Sequence, residues 1–219
     1  VEYIGNKVQH KDGMTKLTQP VLLQSFTDEF PIVRDSKIMN PAIPGTVLEP
    51  TEGKLSDEDQ FTFRSGTGKL LHLMKWSRPE IGNSVRELSR FMSGAGLPHL
   101  KAMYRVMNYC LNTSERGKIF KPRRTCKLED IANFEFIIDG YSDSDYAKDT
   151  VKRRSVSGFC CFLEGCPLNT KSRMQPITAL SVTEAELIAA TECAQDLLYA
   201  KHVMESIGLK VQVTILDAL

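Results

Sequence analysis

The sequence predicts an α/β protein, α+β overall, with helices and strands segregated along the chain. Three observations predict this. Between Phe63 and Leu111 apolar residues recur at helical spacing. After Phe134 the pattern shortens to β-branched and aromatic runs bounded by turn residues. A long alanine-rich stretch, about 183–207, interrupts those runs and a last one, Val211–Leu216, follows it. A chain of 219 residues holds one large domain or two small ones.

The elements follow in order. Glu2–Gln9, a turn at Lys11-Asp12-Gly13 and Met14–Leu17 read as a β-hairpin. Pro20 opens a helix capped by Thr18 or Gln19, which should bury Val21, Leu22 and Phe26. Residues 31–60 carry Pro31, Pro41, Pro44, Gly45, Pro50 and Gly53, then Asp57, Glu58 and Asp59, and read as a loop or linker. Two helices follow, broken near Ser77-Arg78-Pro79. Leu70, Leu71, Leu73 and Met74 make the apolar stripe of the first, and Ile81, Val85, Leu88 and Met92 that of the second. A third, Pro98–Leu111, repeats the pattern with Leu100, Met103, Val106, Met107 and Cys110. Strands at Phe134–Ser142, Ser155–Leu163 and about 168–181 precede the long helix and the final strand. The post-helix strand can lie beside the first, which gathers both strand ends and the helix start at one point.

Composition excludes little. The net charge is +1, yet Lys101, Arg105, Arg116, Lys118, Lys121, Arg123, Arg124 and Lys127 face only Glu115 across one stretch. That stretch is either a phosphate-binding surface or a solvated linker. The six cysteines contain no C-x-x-C pair, and no histidine stands at metal-ligand spacing. They read as reduced thiols, with Cys160 and Cys161 on opposite faces of a strand. No apolar run approaches the ~20 residues of a membrane span, and no secretory leader is present.

Chemistry concentrates at two carboxylates. Phe134-Glu135-Phe136-Ile137-Ile138 opens into Asp139-Gly140-Tyr141-Ser142-Asp143-Ser144-Asp145, and Ala185-Glu186 begins the long helix. A carboxylate at a strand end and another in a first helical turn are parts of a divalent-cation site. Each has a structural alternative. Asp143 can close an Asx turn. Glu186 completes a Thr183-x-x-Glu186 capping box, although Ser181-x-x-Glu184 offers the same box two residues earlier. Asp145 either supports the cation or is a solvated turn residue.

Several segments resemble one family. Tyr141-Ser142-Asp143-Ser144-Asp145-Tyr146-Ala147-Lys148-Asp149, Arg153-Arg154-Ser155-Val156-Ser157-Gly158 and Leu180-Ser181-Val182-Thr183-Glu184-Ala185-Glu186 are similar to the ribonuclease H domain of copia-type retrotransposon Pol polyproteins. Arg64-Ser65-Gly66-Thr67-Gly68-Lys69-Leu70-Leu71, Trp76-Ser77-Arg78-Pro79-Glu80-Ile81 and Leu88-Ser89-Arg90-Phe91-Met92 resemble the C-terminal part of that family's reverse transcriptase, as do Tyr3-Ile4-Gly5 and Thr18-Gln19-Pro20.

The resemblance implies three parts. Residues 1–111 are the reverse transcriptase end, with its primer-grip hairpin and thumb/connection helices. Residues 112–133 are a basic linker. Residues 134–219 are an incomplete ribonuclease H-like mixed sheet with a long helix, truncated at its C-terminus.

It also implies a reaction: two Mg²⁺ ions, for which Mn²⁺ substitutes, hydrolyse the RNA strand of an RNA–DNA hybrid. Asp143 and Glu186 match two of four metal-binding carboxylates. Asp217 is the candidate third, though no Asn follows it, and the fourth would lie beyond Leu219. The polymerase metal site would lie before Val1. Arg153, Arg154, Lys121, Arg123, Arg124 and Lys127 are phosphate-contact candidates. The implied partners are an RNA–DNA hybrid or template–primer duplex and the rest of the Pol polyprotein, without a membrane. The implied place is cytoplasmic, in the element's virus-like particle, or nuclear. The alternative is an inactive remnant that only binds duplex.

Overall fold

A computed structural model of the protein describes residues 1–3, 5–149 and 152–217; the side chains of Tyr3, Leu216 and Asp217 fall outside that description. The chain divides into two compact units, with the break between Lys118 and Ile119; residues 12–14 group with the second.

The first unit begins with strands β1 (Glu2–Tyr3), β2 (Asn6–Lys11) and β3 (Met14–Thr18). The expected single hairpin is a meander instead. Gly5, at φ +70°, reverses the chain so that Glu2 pairs with Lys7. Asp12 and Gly13, at φ +50° and +71°, make the second reversal in the left-handed conformation that two-residue hairpin turns require. Helix α1 (Pro20–Glu29) starts at Pro20 with Gln19 as its N-cap. It buries Leu23 and Phe26, whereas Val21 is exposed.

Helix α2 (Asp57–Trp76) begins within the stretch assigned to a loop. Ser56 Oγ accepts from the Asp59 amide, and Asp57, Glu58 and Asp59 form an acidic first turn that suits a helix N-terminus. A 3-10 turn at Pro79–Ile81 leads into α3 (Gly82–Ser89), and α4 (Leu97–Asn112) follows. Leu70, Leu73, Ile81, Val85, Leu88, Leu100, Met103, Val106, Met107 and Cys110 all enter one core. Leu71 instead lies on the exposed side of α2. Burial pushes the Cys110 thiol up to about 12.

Two buried polar side chains pin this unit. The Arg78 guanidinium donates to Thr113 Oγ1 and to the carbonyls of Thr113 and Cys110. It also pairs with Glu80 and lies over the Tyr109 ring. His99 Nδ1 accepts from the Gly96 amide, so Nε2 carries the proton that it gives to the Glu49 carbonyl; the ring stacks on Phe91.

The second unit contains β5 (Glu135–Asp145), β6 (Val156–Leu163), β7 (Cys166–Met174), helix α5 (Val182–Ser206) and β8 (Lys210–Asp217), after the short β4 (Lys118–Phe120). The strand order is β7-β6-β5-β8, with β6 antiparallel and β8 parallel to β5. Together with the helical first unit, this mixed sheet gives the expected α+β class. Ile138, Phe159, Cys161, Cys193, Leu197 and Val211 form the core between sheet and helix. Gly140 permits the approach of α5, because a Cβ there would stand 2.5 Å from Leu197 Cδ1 and 2.8 Å from Cys193 Sγ. Cys161 is buried beneath the helix while Cys160 is half-buried, and none of the six cysteines is in a disulfide. Among the described residues no helix is long and apolar enough to cross a membrane.

Candidate functional site at the end of the central strand

The register of β5 decides which face each candidate occupies. Successive strand residues point to opposite faces. The pairing with β6 runs without interruption from Ile138 to Asp145 along β5; the irregularity lies at Cys161/Phe162 of β6. Ile138 and Gly140 lie under α5, so Ser142 and Ser144 continue that row. Asp139, Tyr141, Asp143 and Asp145 project from the other face.

Helix α5 brings Glu186 to the same strand end. Its N-cap is Ser181, whose Oγ accepts from the Glu184 amide at 3.1 Å, and Glu184 in turn accepts from the Leu180 amide. The cap is therefore made by Ser181, with Glu184 reaching the amide one residue before the N-cap, and Glu186 has no part in it. Glu186 Oε1 accepts instead from Ser144 Oγ at 2.7 Å. Asp143 is exposed, and Asp145 pairs with Lys148 at 2.8 Å. Asp217 ends β8 opposite Ser142 in the parallel register; its side chain, on which its candidacy as a ligand depends, lies outside the described residues.

Among the described side chains, Asp143 and Glu186 do not by themselves make up a two-cation site. Asp143 and Glu186 approach the strand end from its two faces, and among the described residues no three His, Cys, Asp or Glu side chains converge on a metal-binding group. A two-metal clamp needs carboxylates shared between ions about 3.5–4 Å apart.

The basic stretch divides. Arg123 Nη1 donates to Asp139 at 3.0 Å. Arg124 Nε donates to Glu164 at 3.0 Å, and its Nη2 to Glu164 and to the Glu135 carbonyl. Burial alone would raise the Glu164 carboxyl, but Arg124 and the Ile137 amide hold it below the usual carboxylate range. Lys127 pairs with Glu129 at the surface. Arg123 and Arg124 thus clasp the linker to the sheet. Lys121 and Arg153 are exposed and Arg154 is half-exposed.

Sequence reasoning missed Ser144, Arg124 and Glu164 as partners. Ser144 shares the parity of Ile138 and Gly140, but the sequence does not say which parity meets α5. The Arg124–Glu164 pair had no signal, because it spans 40 residues.

The comparisons with known proteins bear on these observations. The chain is 29% identical over 179 residues to a retrovirus-related Pol polyprotein from transposon TNT 1-94 of Nicotiana tabacum, covering 82% of this chain and 12% of that protein. It is 27% identical over 175 residues to the Pol polyprotein from transposon RE1 of Arabidopsis thaliana, covering 80% of this chain and 11% of that protein. A secreted RxLR effector protein, number 161 of Plasmopara viticola, is 34% identical over 137 residues, which are 63% of this chain and 89% of that protein. The chain therefore spans about a tenth of the length of the Pol polyproteins it matches. No family model matches the chain, and no solved structure does.

Proposed function

The chain belongs to the retrovirus-related Pol polyproteins of copia-type transposons, and from that premise we propose that it joins the C-terminal part of the reverse transcriptase to a ribonuclease H-type module that engages RNA–DNA hybrids without cutting them on its own. The observation that carries this reading is the end of β5. A parallel neighbour, β8, and the first turn of α5 meet it, as a hybrid-handling module of this kind requires, but the carboxylates there are divided between two faces.

Backbone phosphates would be met by Lys121, Arg153 and Arg154, and by the outer part of Arg123, whose side chain is 64% exposed despite its ion pair. Such contacts give salt-dependent affinity without sequence preference, and the 2′-hydroxyl distinguishes RNA from DNA. The first unit would hold template–primer duplex beside the rest of Pol, in the cytoplasm or nucleus. Mg²⁺ or Mn²⁺ would supply the activated water in a cutting module. The residues of this chain bind, and Glu186 and Asp143 bring two carboxylates where more are needed.

The second reading is hydrolysis of the RNA strand by the chain itself. It is favoured by the register, which sets the backbone of Asp217 opposite Ser142 at the strand end. A labelled RNA–DNA hybrid incubated with Mg²⁺ or Mn²⁺ separates the two. The expected result is hybrid binding that weakens with salt, with RNA cleavage at background for both the wild type and Asp143→Asn. Cleavage by the wild type that Asp143→Asn or Glu186→Gln removes would establish hydrolysis and overturn the non-cutting reading.

A further inference from the structure

The linker's cations already face carboxylates of their own chain. Arg123 pairs with Asp139, Arg124 with Glu164 and Lys127 with Glu129. The two arginines are held differently. Arg124 gives Nε and Nη2 to the Glu164 carboxylate and Nη2 also to the Glu135 carbonyl, and its guanidinium lies over the Phe134 ring. Arg123 reaches Asp139 with Nη1 at 3.0 Å, and its side chain stays 64% exposed. Its amide donates to the Glu164 carbonyl. Its stem crosses the turn at Gly165, where φ is +78° and a Cβ would stand 2.8 Å from Nε. A guanidinium carries five donors in a planar fork, so Arg123 is fixed in place and still open to a second anion. The Asp139 side chain beneath it is 9% exposed.

We propose that Asp139 is an internal competitor for phosphate at Arg123, and that this carboxylate limits how tightly the linker holds a nucleic-acid backbone. Carboxylate and phosphate draw on the same fork of donors. A phosphate that approaches Arg123 meets a charge already offset by Asp139, and that carboxylate repels it. Arg124, bonded on more sides, remains a clasp and takes no phosphate. The proposal rests on the duplex-binding reading above and adds which residue restrains the affinity.

Fluorescence anisotropy on the full chain tests it, with a labelled RNA–DNA hybrid and a DNA duplex of the same length across a salt series. Asp139→Asn should bind about threefold to fivefold more tightly than the wild type at low salt. Its plot of log affinity against log salt should steepen by about 0.9, the mark of one more phosphate neutralised. Arg123→Met should weaken binding and cancel that gain, so that Arg123→Met/Asp139→Asn binds like Arg123→Met. Glu164→Gln should gain less than Asp139→Asn. A gain that persists in the Arg123→Met background overturns the proposal, because Asp139 would then act through the general field. If Asp139→Asn does not fold, nuclear magnetic resonance of the arginine Nε–H groups of the wild type decides. Duplex that shifts the Arg123 signal and leaves Arg124 in place supports the proposal, and duplex that shifts Arg124 or neither refutes it. Hybrid bound equally by the wild type and Asp139→Asn sinks the proposal alone. A gain on the DNA duplex, with hybrid bound by no variant, sinks the ribonuclease H-type reading and leaves the competition standing.

Discussion

Arg78 in the first unit and Glu186 in the second are both charged side chains set against a hydroxyl, and they are used in opposite ways. Arg78 is 1% exposed, and Thr113, Cys110, Glu80 and the Tyr109 ring surround its guanidinium. Glu186 is only half-buried and takes its bond from Ser144 on one oxygen. A charge enclosed by partners holds a fold together. A charge with one partner among the described residues, at the open end of a strand, keeps its remaining lone pairs for solvent or ligand. The two units differ in the same sense. The first has a large helical core, while the second has a smaller core and an acidic strand end.

The largest expected effect breaks the first side of that contrast. Arg78→Met removes the donor that Thr113, Cys110 and Glu80 share and leaves buried acceptors without a partner. Urea unfolding should show a loss of about 3–5 kcal/mol. A loss below 1 kcal/mol would mean that Arg78 is not a structural pin.

The second unit should prove sensitive in its apolar core instead. Leu197 is fully buried between α5 and the sheet, next to Gly140 and Cys193. Leu197→Ala should cost about 2–5 kcal/mol. Circular dichroism during urea unfolding would measure it, and an unchanged midpoint would disprove the packing of α5 on β5.

Acid should separate the units more gently. Burial lowers the pKa of His99 despite its bonds to Glu49 and Gly96. The unfolded chain therefore takes up a proton near the ordinary value of about 6.5 that the folded chain still refuses. Stability of the first unit is complete above that value and declines as pH falls from it toward the lowered folded value. His99→Gln should flatten this slope, as read from urea midpoints across that range. An identical slope in the variant would assign the acid sensitivity elsewhere.

How much of this was legible in the sequence follows from which interactions are local. The stripe of α4, from Leu100 to Cys110, was readable because helical periodicity is a short-range signal. The start of α2 was not, since Asp57, Glu58 and Asp59 look like a polar loop until Ser56 is seen to cap them. Glu186 was correctly freed from capping duty, because both boxes could be compared by spacing. The partition of Asp143 and Ser144 between two faces was hidden. It depends on which parity of β5 meets α5, and only the Gly140–Leu197 approach fixes that. The ion pairs of Arg123 and Arg124 were hidden for the same reason, as Asp139 and Glu164 are distant in sequence.

The smallest effects sharpen the contrast within α5 itself. Ser181 caps the helix, so Ser181→Ala should cost about 1 kcal/mol. Glu186, two residues beyond the box partner Glu184, contributes no cap, and Glu186→Gln keeps a hydrogen-bond acceptor for Ser144. Its cost should stay within about 0.5 kcal/mol, the range of surface substitutions without a named structural role. Urea unfolding of the two variants side by side gives the order. Should Glu186→Gln destabilise as much as Ser181→Ala, Glu186 would be a structural residue of the helix start, and the case for it as a functional carboxylate would fall with that result.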